Sequence, residues 1–135
     1  MVVDRIHGTG ATDFLSWLTP SSVAGLEHSD NRFSSTLSIM LNEHGGIIDD
    51  QMITRQGQDR LIFPFPSASD SDAHITVHSY YLVTNAGRRA QDLPWIERQL
   101  SDWNAKHGLD VKFIVDDEHA LLALQGMLLA PFPES

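Results

Sequence analysis

Between Phe33 and Leu41 the chain alternates: Phe33, Ser35, Leu37, Ile39 and Leu41 fall on one side of an extended backbone and the residues between them on the other. The alternation breaks at Asn42-Glu43-His44-Gly45-Gly46 and resumes at Ile47. This predicts a tight, glycine-turned β-hairpin with strands over Phe33–Leu41 and Ile47–Thr54, closing at Gln56-Gly57-Gln58-Asp59. In the returning strand Ile48, Asp50, Met52 and Thr54 share one face, while Ile47, Asp49, Gln51 and Ile53 share the other. Whichever face is buried takes one carboxylate with it. A buried carboxylate must find hydrogen-bond donors, shift its pKa or take part in chemistry. Acidic residues beside hairpin turns are commonly solvated, so the pattern marks a place rather than a role.

The same reading places elements on either side. Val2 to Ile6 is a short strand closed by His7-Gly8-Thr9-Gly10, and a helix over Ala11–Leu18 brings Phe14, Leu15 and Leu18 to one face. Thr19-Pro20 stops that helix, Ser21 or Ser22 is placed to cap a further turn, and His28 to Arg32 is a polar connection. A longer helix spans Asp92 to Lys106, with Asp92 as N-cap, Pro94 in the first turn and Gly108 at the C′ position. Its buried stripe is Leu93, Ile96, Leu100 and Trp103. The last strands are Lys112 to Val115 and Ala120 to Leu124, joined by Asp116-Asp117-Glu118-His119, which reads as a solvated connection or a helix start. Leu61 to Ser79, rich in proline, serine and aspartate, reads as a loop.

Bulk properties narrow the function classes. The chain's 135 residues suit one domain, and 41% hydrophobic with 20% charged residues is an ordinary globular composition. Nine basic against eighteen acidic residues give a net charge of −9, which opposes binding to nucleic acid or to an anionic membrane. Without cysteine there is no thiol catalysis, disulfide or zinc–thiolate site. No apolar run approaches the roughly twenty residues that span a bilayer. His74, His78, Asp70 and Asp72 are close in sequence, but no further ligand set has metal-binding spacing, and no metal site is expected. Trp17, Trp95 and Trp103 sit on helices and are expected to pack. No serine or cysteine triad, Walker loop or Gly-x-Gly-x-x-Gly is present.

The segment from Leu41 to Asp50, Leu-Asn-Glu-x-Gly-Gly-Ile-Ile-Asp-Asp, resembles the motif of the glycine-cleavage T-protein family of folate-dependent aminomethyltransferases. Three further segments resemble that family in its order and at nearly its spacing. They are Gly10-Ala11-Thr12-Asp13-Phe14-Leu15 with Leu18-Thr19-Pro20, then Tyr81-Leu82-Val83-Thr84-Asn85-Ala86-Gly87, then Ala120-Leu121-Leu122-Ala123-Leu124-Gln125-Gly126. The resemblance runs from Gly10 to Gly126 and covers an early-to-middle section of the family. It implies an α+β fold, an antiparallel sheet with flanking helices around a folate cavity. It also implies a partial folate-binding aminomethyltransferase domain over residues 1–126, interrupted by the loop-like insert at 61–79 and followed by a divergent tail at 127–135. We read the insert and the tail as retained intron sequence and a missed splice, which the transcript sequence tests. The family's later folate-clamping acidic, arginine and tyrosine residues have no counterpart in the resemblance.

Chemically, the resemblance implies transfer of the methylene carbon from a lipoyl-bound aminomethyl group to tetrahydrofolate with release of ammonia. The partners implied are the lipoyl-carrying H-protein and folate. Asp50 aligns with the family's essential aspartate, holding the reactive nitrogen region of folate, while Val83 and Asn85 line the pterin side. Asp49, on the opposite face, is expected to be a structural or solvated partner. Eukaryotic members are mitochondrial, so the same location is implied, although Met1-Val2-Val3-Asp4-Arg5 does not read as a presequence. Alternatives are the folate-binding domain of a demethylating dehydrogenase, an iron–sulfur assembly factor of the same fold, or a non-functional fragment.

Overall fold

In a computed structural model of the chain, the residues described are 2–28, 33–56, 78–119 and 121–122. They form a five-stranded sheet with the order β2-β3-β4-β1-β5. The strands are β1 (Val2–Gly8), β2 (Ser35–Leu41), β3 (Ile47–Gln56), β4 (His78–Thr84) and β5 (Lys112–Asp116), with helices α1 (Ala11–Leu18) and α2 (Arg89–His107). Every neighbouring pair is antiparallel. The first strand in sequence therefore lies inside the sheet, between β4 and β5.

Both helices cover one face of the sheet. Ile6, Met40, Ile53, Tyr80 and Leu82 from the strands pack with Phe14, Leu15 and Leu18 of α1 and Ile96 and Leu100 of α2 in one buried cluster. Burying each of these side chains stabilises the fold by roughly 1.5–3 kcal/mol before conformational entropy is subtracted. On the opposite face Leu37, Met52 and Ile114 are 65%, 45% and 37% exposed, while Val3, Arg5 and Asp116 on the same face are buried. The tryptophans of the helices pack, as their placement predicts. Trp103 lies 5.2 Å from Trp17 and 6.0 Å from Phe14, ring centre to ring centre, and ties α2 to α1.

The hairpin turn is built by Asn42. Its Oδ1 accepts from the backbone N–H groups of His44 (3.0 Å) and Gly46 (2.8 Å), and Gly45 takes the left-handed φ of 77° that the turn requires. Helix α1 has the predicted bounds and ends at Thr19, whose N–H and hydroxyl both donate to the Leu15 carbonyl. Strand β4 pairs antiparallel with β3, Tyr81 opposite Thr54 and Val83 opposite Met52.

Several expectations are corrected. Met40 pairs with Asp49 but Leu41 with Ile47, so Ile48 is the extra residue of a β-bulge. Ile48 accordingly packs against the core instead of sharing a face with Asp50. Helix α2 starts at Arg89, continuing a 3-10 turn over Ala86–Arg88, so Asp92 is a buried residue of the first turn and not the N-cap. His78 and Ser79 belong to β4 rather than to the insert; Ser79 donates to Gln56 at 2.7 Å. Asp116 ends β5 buried, because Arg5 meets it there. Leu121 and Leu122 lie outside any strand and are exposed. The remainder of the predicted last strand, residues 29–32 of the polar connection, the hairpin close at 57–59, residues 61–77 of the predicted loop, and the tail fall outside the described residues.

Candidate functional site

The bulge sets which acid goes where. Beyond it, Asp49, Gln51 and Ile53 turn towards the helices, while Asp50 and Met52 lie on the open face and are exposed. Strand β4 delivers the third component. It ends at Thr84, and Asn85 follows in extended conformation before the 3-10 turn. From there the Asn85 Nδ2 donates to Asp50 Oδ1 at 2.7 Å and to Asp49 Oδ1 at 3.0 Å. Both N–H bonds of one amide thus end on the two hairpin carboxylates, which fixes the amide's orientation. Arg88 fastens the turn to the same strand, its Nη2 donating to the Ile48 carbonyl at 3.0 Å. Val83, half-buried, lies on the open face opposite Met52. The three residues singled out from the sequence, Asp50, Val83 and Asn85, therefore meet at one end of the open face.

Asp49 is not a solvated bystander. Burial works against its charge, but hydrogen bonds from Asn85, from Asp92 and from the backbone N–H groups of Asp50 and Asn85 hold its carboxyl below the usual range. Asp92 answers it in the opposite direction. Burial, the hydrogen bond to Asp49 and the repulsion of the Asp49 charge push its pKa up to about 6, against a lesser pull from Arg88. Below about pH 6 the proton of this pair belongs on Asp92, which can then donate to Asp49. Neither oxygen of Asp92, nor Asp49 Oδ2, meets an amide, guanidinium or hydroxyl donor among the described residues, so a proton shared by the two carboxyls gives one oxygen of each a partner and leaves the second Asp92 oxygen without one. Asp92 was missed as a site residue because its position suits an N-cap. The signal was its spacing to Ile96 and Leu100, which puts it on the buried stripe of α2.

A second polar group lies towards the other edge. Arg5 Nη2 donates to Asp116 Oδ2 at 2.6 Å in a buried ion pair, and the guanidinium rests 5.3 Å from the Tyr81 ring centre. His119 Nδ1 lies 2.7 Å from Asp116 Oδ1. Burial disfavours the Asp116 charge, but His119 and Arg5 more than offset it and the carboxyl titrates low. On the helix side, Tyr80 shares a 2.7 Å hydrogen bond with Thr12, which also donates to Glu27. His78 Nε2 is 3.5 Å from Glu27 Oε1, while His74, Asp70 and Asp72 are outside the described residues. A hollow of about 500 Å³ between the hairpin tip and α2, lined by Asn42, Ile48, Trp95 and Arg98 among others, includes none of Asp50, Val83 and Asn85. No described helix is long and apolar enough to cross a membrane.

No protein-family model matches the chain. The mitochondrial aminomethyltransferase of Pisum sativum is 38% identical over 126 residues, 93% of this chain and 25% of the relative. That of Mesembryanthemum crystallinum is 39% identical over the same length, and that of Saccharomyces cerevisiae 29%. Among solved structures, the glycine cleavage system aminomethyltransferase T of Bartonella henselae matches with a TM-score of 0.57 and 25% identity, over 84% of this chain and 23% of that one. The chain spans about a quarter of the length of the curated relatives it matches. In sequence over 93% of its length and in fold over 84%, the chain is similar to one section of the aminomethyltransferases named above.

Proposed function

We propose that the Asp50 end of the open face is the folate side of an aminomethyl-transfer site. In the reaction, the methylene carbon exchanges its bonds to the lipoyl sulfur and to the amino nitrogen for bonds to two nitrogens of tetrahydrofolate, and the thiol and ammonia leave. Asp50 holds the reactive nitrogen region of the folate by hydrogen bonding and electrostatic attraction, with some general-base character. Its Oδ1 is engaged by Asn85, and Oδ2 carries no hydrogen bond among the described residues. Asn85 and Val83 line the pterin side. The aminomethyl group comes on the lipoyl arm of an H-protein, and the location is mitochondrial, as for the relatives named above.

The observation that supports this reading best is the Asn85 bond to Asp50. It joins residues 35 apart in sequence on the sheet face that the helices leave uncovered, in a chain similar to those aminomethyltransferases. Calorimetric titration of the 135-residue chain with tetrahydrofolate tests it. Saturable binding that weakens in Asn85→Ala is the expected result, and an absence of saturable binding up to millimolar tetrahydrofolate would refute the assignment.

A further inference from the structure

Position 92 is a core position by periodicity, four and eight residues ahead of the buried Ile96 and Leu100. An apolar residue would fill it at no electrostatic cost. Instead it holds a carboxyl with no exposure, whose partner is a second carboxyl, Asp49 on β3. Buried polar groups without full pairing are costly, so this arrangement needs a reason beyond packing.

Four side chains run in series from the helix side of the sheet, past the end of β4, to the open face. Asn85 donates one N–H to Asp49 and the other to Asp50, and the buried Asp92, whose oxygens meet no other donor among the described residues, can donate to Asp49 while it holds its proton. Each link has a fixed direction. While Asp92 is a neutral acid, Asp49 is a charged double acceptor, and only the NH2 end of Asn85 can face the two hairpin carboxylates. We infer that Asp92 is a positioning residue for Asp50, acting through Asp49 and the Asn85 amide. The inference rests on the reading of Asp50 as the folate-facing acid, but the hydrogen-bonded series itself does not.

The series carries a condition. The charged groups acting on Asp92 are Asp49 from β3 and Arg88 from the 3-10 turn; the other buried carboxyl beneath the helices, Asp4, is acted on by Arg89, Asp116 and Asp117. When Asp92 ionises, two like charges meet at short range, Arg88 offsets them only in part, and Asp49 is pushed off its acceptor geometry. Asn85 then loses one of its two anchors. An amide at position 92 would donate to Asp49 at every pH, whereas a leucine would never do so.

The side-chain NH2 resonances of Asn85, assigned by their disappearance in Asn85→Ala, read the series directly in the 135-residue chain. In the unsubstituted chain the pair is expected to shift between pH 5 and 8 with a midpoint at about 6. In Asp92→Asn it should hold the low-pH position throughout, and in Asp92→Leu it should show no step near pH 6. A wild-type midpoint persisting in Asp92→Asn would overturn the inference, as would the same midpoint in a folded Asp92→Leu chain. Should the leucine variant fail to fold, the asparagine comparison alone decides. In a parallel titration, tetrahydrofolate affinity at pH 6 should fall about tenfold in Asp92→Leu and less in Asp92→Asn. A chain that binds no folate yet shows the Asn85 pattern would refute the folate reading and leave the positioning series standing.

Discussion

At the scale of single residues, the two hairpin aspartates have separate surroundings. Asp50 faces out with one oxygen held by Asn85, while Asp49 faces in, between Asn85 and Asp92. In a full-length protein carrying this section, Asp50→Asn is therefore expected to remove most turnover with a modest change in folate affinity, because its contribution belongs to the transition state. Asp49→Asn should cost less turnover; equal losses in the two variants would contradict the assignment. Stability should carry the mark of Asp92. Its folded pKa, about 6 against an ordinary 3.8, means that its stabilising contribution is complete below about pH 4 and is lost as pH rises through 6. The contribution is at most on the order of 3 kcal/mol. Asp4, raised by burial, acts in the same direction, whereas the lowered carboxyls of Asp49 and Asp116 lose their contribution only below pH 3.8. Urea unfolding at pH 4.5 and pH 7 should thus give a difference that shrinks in Asp92→Asn; an unchanged difference would exclude Asp92 as its source.

At the scale of elements, the parts stabilised by local chemistry were legible in the sequence. Helix α1 is bounded by a glycine and by Thr19-Pro20, and its limits follow from those residues. The hairpin follows from alternation and a glycine turn, with the Asn42 side chain as its bolt; Asn42→Ala should lower stability by about 1–2 kcal/mol in urea unfolding, since two backbone N–H groups lose their acceptor. What escaped the sequence depended on contacts distant along the chain. The bulge at Ile48 appears only when β2 and β3 are set in register, because Ile47-Ile48 is equally apolar on either parity. The early start of α2 comes from the 3-10 turn feeding it, and Asp116 reads as solvated until Arg5 arrives from another strand. That ion pair gives a further test. Arg5→Met should destabilise by about 3–5 kcal/mol because it strands the Asp116 charge, while Arg5→Met with Asp116→Leu should recover much of the loss. A double variant no better than the single one would mean that Arg5 acts through its packing on Tyr81. For the site, Asp50, Val83 and Asn85 could be named from motifs, whereas Asp92 required the helix to be laid on the sheet.

At the scale of the whole molecule, the helices cover one face of the sheet, and the acid assigned to chemistry lies on an exposed part of the other. The resemblance carries the remaining folate clamp to later segments of the family, and only a fixed acceptor gains the advantage of proximity. A polypeptide of these 135 residues alone is therefore expected to give no measurable aminomethyl transfer when assayed with aminomethylated H-protein and tetrahydrofolate; robust product formation would show that the clamp is dispensable. The strand order also imposes a timetable. The β2–β3 hairpin closes through a short turn, but β1 waits for partners late in the chain, and the contact between Arg5 and Asp116 closes a separation of 111 residues. During synthesis, then, the hairpin that bears both aspartates can form while β1 still has no neighbour. Asp49 and Asp50 are born as an exposed, mutually repelling pair, and the amide and the acid that reconcile them, Asn85 and Asp92, emerge from the ribosome some forty residues afterwards.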